Sequence, residues 1–232
     1  MNEGIYLNKE WSELNKLMQM QLKKKDTFSE GIKTLLLLRE KLMGQILEFR
    51  RELTPKEFCA SPYKNADGYH SKTIAYSLWH IFRIEDITAN TLIADREQVL
   101  FSGKYDMRIG SPVITTGNEI VSEQLTAFSE KLDIDELYNY IFDVDKATAD
   151  IVKSLSFENM KTKVSEERKQ KLLSLGVVNE SEESIWLVDY WCGKDIRGLI
   201  QMPLSRHWIM HIEACIRIMN KIISVRKKEI II

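Results

Sequence analysis

Hydrophobic residues recur every three or four positions along most of the chain, the interval at which residues share one face of an α-helix. The clearest case is the segment from Ser29 to about Leu53, whose apolar positions are Ile32, Leu35, Leu36, Met43, Ile46, Leu47 and Phe49. Thr54 and Pro55 end this pattern because proline cannot continue a helix. The pattern predicts a long amphipathic helix, and a similar one covers residues 3–24.

Turn residues and capping residues mark where the next helix begins and ends. Cys59 to Thr73 has the composition of a loop, and Ser71 or Thr73 can cap a helix that runs to about Gln98. A second loop is predicted over residues 101–117. The two loops therefore flank one long helix.

Two capping boxes are predicted after the second loop. Thr116 with Glu119, and Asp133 with Glu136, have the spacing at which a capping side chain and an acid pair with backbone N–H groups at a helix start. We therefore expect a short helix that leads into a longer one ending near Leu155.

The following segment is predicted to be helical as well. Lys161 to Leu175 has the pattern of a charged helix, and Gly176 stands where a C-terminal cap is expected. The stretch SEESIWLVDYWCGKD has the pattern of a short amphipathic helix that ends at Gly193.

The last long helix is predicted to begin at Pro203 or Ser205 and to run to about Lys227. No credible strand pair is visible, and the C-terminal run EIII is too short to build a sheet alone. Four long helices joined by long excursions predict an all-α fold arranged as a helix bundle. Residues 1–28 are then an N-terminal helical extension, and residues 29–232 are the bundle domain.

The overall composition limits the classes of partner. Hydrophobic residues make up 44% of the chain and charged residues 29%, which is typical of a globular protein with a buried core. The formal net charge of −1 provides no positive field to hold nucleic acid. No apolar stretch reaches the roughly 18 residues that a membrane span requires. We therefore expect a protein that binds neither nucleic acid nor membranes.

The N-terminus and the cysteines indicate the compartment. The sequence MNEGIYLNKEW lacks the basic start and apolar run of a signal peptide. The three cysteines, Cys59, Cys192 and Cys215, are widely spaced and odd in number, so free thiols are expected rather than a disulfide framework. Together these features predict a cytoplasmic protein.

Two of the four histidines, His207 and His211, are separated by four residues. Positions i and i+4 lie on one face of a helix, so a single helix can offer both imidazoles to one metal ion. His80 lies on an inward stripe of another predicted helix and can converge with them. Three imidazoles leave coordination positions open, as in catalytic metal sites.

A simpler interpretation of the pair stays open. The spacing HxxxH also occurs by chance, and His207 and His211 would then be two core histidines. Buried imidazoles need polar partners, so two of them on adjacent turns would be awkward without a metal ion. The pattern alone does not decide between these interpretations.

The motifs SLWHIFRIED around His80 and MPLSRHWIMHIEACIRI around His207 and His211 resemble those of the DinB-like, YfiT-like superfamily of four-helix bundles. That superfamily carries one histidine on the second bundle helix and HxxxH on the fourth. The likeness extends over about residues 29–227, but only the histidine segments are specific. The resemblance implies a DinB-like four-helix bundle that holds a divalent metal ion on these three histidines.

Two features depart from the simplest pattern of this superfamily. An additional N-terminal helix precedes the bundle, and an insertion of about residues 156–201 separates the third bundle helix from the last. Members of the superfamily include metal-dependent thiol S-transferases and a thiol-dependent isomerase, while many others have no established activity. The resemblance also implies a homodimer, but the two additions can reshape the pocket, so the substrate does not carry over.

Further candidate residues surround the predicted metal site. Tyr190 and Trp191 either line the pocket mouth or pack the inserted helix. Arg206 either binds an anionic substrate group or stays at the surface. His70 falls outside the inward stripe of His80 and is either an auxiliary group or a surface histidine.

Other polar residues near the three histidines can support them or complete the site. The acids Glu85, Asp86 and Glu213 can orient a ligand imidazole, although their helical phase places them off the histidine stripe. Cys215, one turn beyond His211, is either a fourth ligand that closes the site or a buried free thiol.

Together with the histidine pattern, the resemblance therefore implies a metal-dependent enzyme. The expected ion is Zn²⁺, with Ni²⁺ or Fe²⁺ as alternatives, because imidazole suits all three. The expected chemistry is activation of a water or a thiol, as in a hydrolase or a thiol S-transferase acting on a small molecule such as a low-molecular-weight thiol. The alternative is a non-catalytic metal- or ligand-binding bundle that acts through a protein partner. Catalytic residues are not identified from the sequence.

Overall fold

The computed structural model describes residues 3–63, 68–121 and 124–229, and these residues are mostly helical, as predicted. They contain no β-strand and only one isolated β-bridge, between Lys163 and Asp195. The C-terminal run EIII lies outside the described residues from position 230 onward. The α-helices of the described part are α1 (Glu3–Gln21), α2 (Phe28–Glu52), α3 (Pro55–Phe58), α4 (Ile74–Asp86), α5 (Val99–Ser102), α6 (Tyr105–Arg108), α7 (Gln124–Ser129), α8 (Ile134–Ser154), α9 (Glu166–Ser174), α10 (Glu182–Cys192), α11 (Ile196–Gln201) and α12 (His207–Glu229).

Helix α1 is shorter than predicted, and helix α2 lies where its apolar pattern placed it. The Thr27 hydroxyl donates a hydrogen bond to the Gln21 carbonyl at 2.8 Å, which satisfies the end of α1 before the predicted end at Lys24. Along α2 the buried apolar residues recur at helical intervals, at Ile32, Leu35, Leu38, Leu42, Met43, Ile46 and Phe49. Thr54 and Pro55 end the pattern as predicted and begin the short helix α3.

Helix α4 is buried on every side. The predicted cap Thr73 accepts a hydrogen bond from the N–H of Tyr76 at 3.0 Å. After α4 the chain continues as a π-helix, Ile87–Ile93. This helical stretch therefore ends five residues before the predicted end at Gln98. Because every residue of α4 is buried, its charged side chains must find partners inside the protein.

The acids of α4 are paired with arginines. The guanidinium of Arg39, on α2, donates to both carboxylate oxygens of Glu85 at 2.7 and 2.8 Å, and the indole N–H of Trp208 donates to Glu85 at 2.7 Å. Arg83 donates to Asp86 at 3.1 Å. These bonds connect α4 to α2 and α12 in the interior.

One of the two predicted capping boxes forms a cap, and the other does not. Asp133 accepts a hydrogen bond from the N–H of Glu136 at 3.0 Å and caps α8, which ends one residue before Leu155. The prediction for Thr116 is wrong, because residues 117–121 are not helical and its hydroxyl instead pairs with Asn118 at 2.8 Å. The next helix, α7, is described from Gln124, and positions 122 and 123 lie outside the described residues.

Segment 156–201 folds as a series of short helices. Helix α9 begins at Glu166 rather than at the predicted Lys161, because Ser165 caps it by accepting the N–H of Arg168. Gly176 follows α9 with φ +61°, the left-handed conformation expected of a C-terminal glycine cap. Helix α10 occupies the predicted amphipathic stretch and ends at Gly193.

The last long helix was predicted to begin at Pro203 or Ser205, but neither residue is the free start of a helix. Helix α11 leads directly into a π-helix, Met202–Arg206, which leads directly into α12. The three segments form one nearly continuous helical stretch, so the backbone N–H groups before α12 have helical partners.

The four long helices α2, α4, α8 and α12 pack around a shared interior. Helices α2 and α4 each contact both α8 and α12, and α1 lies against α2 and α12. The buried residues form two apolar clusters, and Trp79 and Trp208 belong to one while Ile84 and Leu204 belong to the other. His80 and His207 therefore lie where the two clusters meet. In the described part of the chain, every helix is too short or too polar to cross a membrane.

Candidate metal centre

The structure brings His80, His207 and His211 together in the interior, as their spacing predicted. One ring nitrogen of each lies within 4.8 Å of one nitrogen of each of the others. The Nε2 atoms of His80 and His207 are 3.2 Å apart. The ring centroids are separated by 4.5 to 5.0 Å, and all three side chains are buried. The three imidazoles thus form one compact cluster.

Two helical segments aim these rings at one point. His80 comes from the middle of α4, while His207 is the first residue of α12 and His211 follows one turn later. The π-helix Met202–Arg206 lies immediately before the pair. A π turn holds about one residue more than an α turn, so it rotates the residues after it by roughly 100° relative to α11. This rotation contributes to turning His207 towards α4.

The π-helix removes one expected feature of the site. A helix that began at Pro203 or Ser205, as predicted, would place free backbone N–H groups and the positive end of its dipole beside His207. The N–H of His207 instead donates to the Met202 carbonyl. The prediction of a free helix start at this position is therefore wrong.

A backbone carbonyl orients His80. The Nδ1 atom of His80 lies 2.9 Å from the Thr116 oxygen. A carbonyl can only accept, so Nδ1 carries the proton and Nε2 presents its lone pair to the cluster. This is the kind of outer contact that fixes the tautomer of ligand histidines in metal sites.

The loop that carries Thr116 is held on both sides. Arg83 donates to the Ile114 carbonyl at 2.8 and 3.1 Å, and the Tyr76 hydroxyl donates to the Gly117 carbonyl at 3.0 Å. The arginine and the tyrosine both lie on α4, as does His80. Helix α4 therefore positions both the imidazole and the carbonyl that orients it.

The acids expected to orient the histidines serve other contacts. Glu85 is bound by Arg39 and by the indole of Trp208, and Asp86 accepts from Arg83 and from the backbone N–H groups of residues 99 and 100. Glu213, also suggested, is a half-buried residue of α12 whose carboxyl pKa is raised by burial. Within the described residues, Thr116 alone accepts a hydrogen bond from His80.

Burial keeps the three imidazoles neutral. Desolvation lowers the pKa of His80 to about 4, with a further lowering by the charge of Lys72. Desolvation also lowers the pKa of His207 and His211 well below the ordinary histidine value, and the neighbouring histidines add to this effect. Neutral imidazole is the form that binds metal ions.

The cluster has polar atoms without partners. Among the described residues, Nδ1 of His207 and both ring nitrogens of His211 are buried and make no hydrogen bond. A buried polar atom without a partner costs free energy that a packed protein normally avoids. A divalent ion at the centre of the cluster would bind one nitrogen of each ring and so give His211 a partner for one of its two unpaired nitrogens. The donor set therefore fits a metal ion better than it fits an ordinary core.

A cavity of about 460 Å³ opens onto the cluster. Tyr190 and Trp191 line it from α10, so both lie at the pocket as one of their two interpretations predicted. Trp191 is 1% exposed and also packs into the core, whereas Tyr190 is 37% exposed. The remaining lining residues are Gly68, Tyr69, Ser71, Lys72, Tyr76, Ile84, Asn118, Trp186, Leu187, Met202 and Pro203.

Two other candidate pocket residues lie outside the cavity lining. His70, in a 3-10 turn, has its Nε2 atom 2.7 Å from the guanidinium of Arg217. Arg206 is exposed at the end of the π-helix. Their sequence neighbours, Tyr69 and His207, are the ones that line the cavity.

The three cysteines are free thiols, and none of them joins the group of converging ligand atoms. Cys215 is buried near Ser77, and burial raises the pKa of its thiol to about 12. It does not join the group of side chains whose ligand atoms converge. The described residues therefore leave the position opposite the histidines to the cavity rather than to a protein thiol.

Several residues at the site were missed in the sequence. Tyr76 stacks on His80 with ring centroids 5.6 Å apart and planes 12° apart, and Tyr69 meets His211 edge-on at 4.5 Å. Tyr76 precedes His80 by four residues, the same spacing that identified the histidine pair, so the signal was present. Lys72 and Thr116 are in irregular segments, where periodicity carries no information.

Comparison with known proteins did not identify a relative of this chain. No family model, no curated protein and no solved structure matches the chain. The function of the cluster must therefore be argued from its own residues and from the cavity beside it.

Proposed function

We propose that His80, His207 and His211 bind one divalent metal ion and that the chain is a metal-dependent enzyme with the layout of a DinB-like four-helix bundle. One observation carries the proposal: three buried, neutral imidazoles converge and line a cavity, and two of them, His207 and His211, have unpaired nitrogens. A core packed only for stability would not collect these groups at one point.

The spacing of the nitrogens agrees with a shared ion. Two nitrogen ligands at about 2.0–2.1 Å from a tetrahedral zinc ion are roughly 3.3 Å apart. The Nε2 atoms of His80 and His207 are 3.2 Å apart, and one ring nitrogen of His211 lies within 4.8 Å of a ring nitrogen of each of the other two histidines. Zn²⁺ is the first choice, and Ni²⁺ and Fe²⁺ are alternatives, because all three accept imidazole.

The residues around the cluster define what the site can do. When bound, such an ion makes a water or a thiol acidic enough to act as a nucleophile at neutral pH. Thr116 holds His80 in one tautomer, and aromatic side chains line the cavity beside the cluster. We propose a small-molecule substrate, with a low-molecular-weight thiol as one reactant in an S-transfer reaction. In that reaction the thiol loses its proton, and its sulfur forms a bond to an electrophilic carbon as the leaving group departs.

The test is a thiol-conjugation assay on untagged protein. We expect zinc-loaded protein to accelerate the reaction of cysteine with 1-chloro-2,4-dinitrobenzene, and chelation of the metal to return the rate to the uncatalysed value. His207→Ala should abolish the acceleration, whereas the control His70→Ala should retain it. A rate that is indifferent to metal would refute the thiol-transfer proposal. Metal uptake without turnover would favour the non-catalytic alternative.

A further inference from the structure

Lys72 places a positive charge at the edge of the histidine cluster. The residue is half-buried, lines the cavity, and lies two positions before α4. Its ammonium nitrogen is 5.1 Å from the centre of the Tyr76 ring, and that ring stacks on His80. The Tyr76 ring is therefore close to both the Lys72 ammonium and the imidazole of His80.

This charge has no counter-ion within the described residues. The Lys72 side chain makes no ion pair there, and its pKa is lowered by desolvation alone, without an opposing carboxylate. The described residues that line the cavity include no aspartate or glutamate. A partly desolvated ammonium without a counter-ion is unfavourable, and an anion that enters the cavity would relieve this cost.

Apart from Ser71, Asn118 and the histidines, the other side chains that line the cavity are apolar or aromatic. Helix α10 contributes Trp186, Leu187, Tyr190 and Trp191, and other segments contribute Tyr69, Tyr76, Ile84, Met202 and Pro203. Apolar walls with a few polar groups are typical of small-molecule sites, in which the polar groups fix the orientation of the ligand. Among the described residues that line the cavity, Lys72 is the one with a charged ammonium or guanidinium group.

The arginine that the sequence offered for this purpose is poorly placed. Arg206 is exposed and lies outside the cavity lining, so an anion bound to it would remain in solvent. Lys72 is half-buried and lines the cavity, where a lower local polarity than in bulk water strengthens an ion pair.

We infer that the cavity binds a small organic anion, with a carboxylate held by Lys72 and an apolar or aromatic body against α10. This inference rests on the proposed function for the reacting end, which would face the histidines. The recognition of the carboxylate depends on Lys72 and on the aromatic walls, and it does not require the metal.

The test compares two ligands that differ only in charge. Calorimetric titration of the full chain with 3-phenylpropionate and with 3-phenylpropanamide is carried out on protein stripped of metal, so that the carboxylate cannot bind an ion directly. We expect the carboxylate to bind roughly tenfold more tightly than the amide in the unmodified protein. Lys72→Met should remove this preference without weakening the amide, and Lys72→Arg should retain most of it.

A matched control uses a second lysine that stacks on a tyrosine. The ammonium of Lys194 lies 4.0 Å from the centre of the Tyr190 ring, but Lys194 does not line the cavity. We expect Lys194→Met to leave the tenfold preference unchanged. Equal binding of the two ligands by the unmodified protein, a preference that survives Lys72→Met, or no binding of the carboxylate would each overturn the inference.

The outcome separates this inference from the proposed function. A preference that depends on Lys72 in a protein that takes up no metal would leave the inference standing and remove the metal enzyme. Metal uptake by the histidines without a preference for the carboxylate would leave the metal site standing and overturn the inference about Lys72.

Discussion

At the scale of single residues, one backbone carbonyl decides which nitrogen of His80 faces the cluster. The Thr116 oxygen lies 2.9 Å from Nδ1 and can only accept a hydrogen bond. The proton on Nδ1 leaves the Nε2 lone pair directed at His207, 3.2 Å away. The chemistry of the cluster therefore depends on a backbone oxygen, which any residue at position 116 would supply.

This geometry gives a prediction about the tautomer of His80. In metal-free protein at neutral pH we expect long-range ¹H–¹⁵N NMR spectra to show His80 protonated at Nδ1, because Thr116 offers no donor in return. The signal is assigned by its loss in His80→Gln, and His70 serves as an internal reference. A proton on Nε2 of His80 would contradict the hydrogen bond to Thr116.

The sequence revealed the residues whose position follows from helical spacing. His80, His207 and His211 lie on regular helices, so an i,i+4 pair and an inward stripe were sufficient to predict their convergence. Thr116 acts through its backbone, and Lys72 lies in an irregular segment, so neither could be predicted from a pattern of side chains.

At the scale of elements, helix ends depend on which backbone groups find partners. Asp133 caps α8 because its carboxylate accepts the N–H of Glu136. Thr116 and Glu119 have the same spacing but lie in turns, where Glu119 pairs with the hydroxyls of Thr115 and Ser184 instead. Capping-box spacing therefore favours such a helix start but does not guarantee it.

The cap on α8 gives a second prediction. Asp133→Ala should lower the free energy of unfolding by about 1 kcal/mol, because an N–H at the start of α8 loses its acceptor. Asp135→Ala, which removes an exposed ion pair with Arg50, is the control and should cost less than about 0.5 kcal/mol. Urea denaturation followed by circular dichroism measures both variants. Equal losses would show that Asp133 does not act as a cap.

Hydrophobic periodicity predicted the long helices but not the two π-helices. A π turn changes the phase of the pattern by about one residue over a short distance, which a window of 11 to 18 residues cannot resolve. Pro203 therefore suggested a helix start, although it lies within a continuous helical stretch. The same π-helix contributes to the orientation of His207, so the site depends on a feature that the pattern hides.

At the scale of the whole molecule, burying the three histidines makes the metal-free fold sensitive to acid. An unfolded chain protonates its histidines near the ordinary pKa of 6.5, whereas burial lowers the pKa of His80 to about 4 in the folded protein. The unfolded state then binds more protons between these two values, so acidification favours unfolding. The neutral imidazoles contribute their full share of the folding stability above pH 6.5, and this contribution is lost as the pH falls through this window.

This linkage gives a third prediction. Metal-free protein should lose stability progressively between about pH 6.5 and pH 4, with roughly 3 kcal/mol attributable to His80 alone. Urea denaturation at several pH values measures the slope, which should decrease in His80→Gln and remain unchanged in His70→Ala. An identical slope in His80→Gln and in the unmodified protein would contradict the lowered pKa of His80.

Association of two copies stays a prediction at this scale. Helix α1 packs against α2 and α12 and leaves Leu17 and Met20 exposed by 41% and 59%. These side chains offer apolar surface, as an N-terminal extension in a homodimer would. We expect sedimentation to show a dimer at working concentrations, and Met20→Lys to shift the equilibrium towards monomer. A monomer at all concentrations would remove the prediction.

The central claim is that His80, His207 and His211 together bind one divalent ion, and metal stoichiometry tests it most directly. Elemental analysis of untagged protein, equilibrated with Zn²⁺ and freed of excess metal, should give about one ion per chain. Alanine in place of any one of the three histidines should reduce this value strongly, because two imidazoles hold zinc far more weakly than three. His70→Ala should leave it unchanged. Retention of the metal by all three alanine variants would contradict the account and leave His207 and His211 as core histidines.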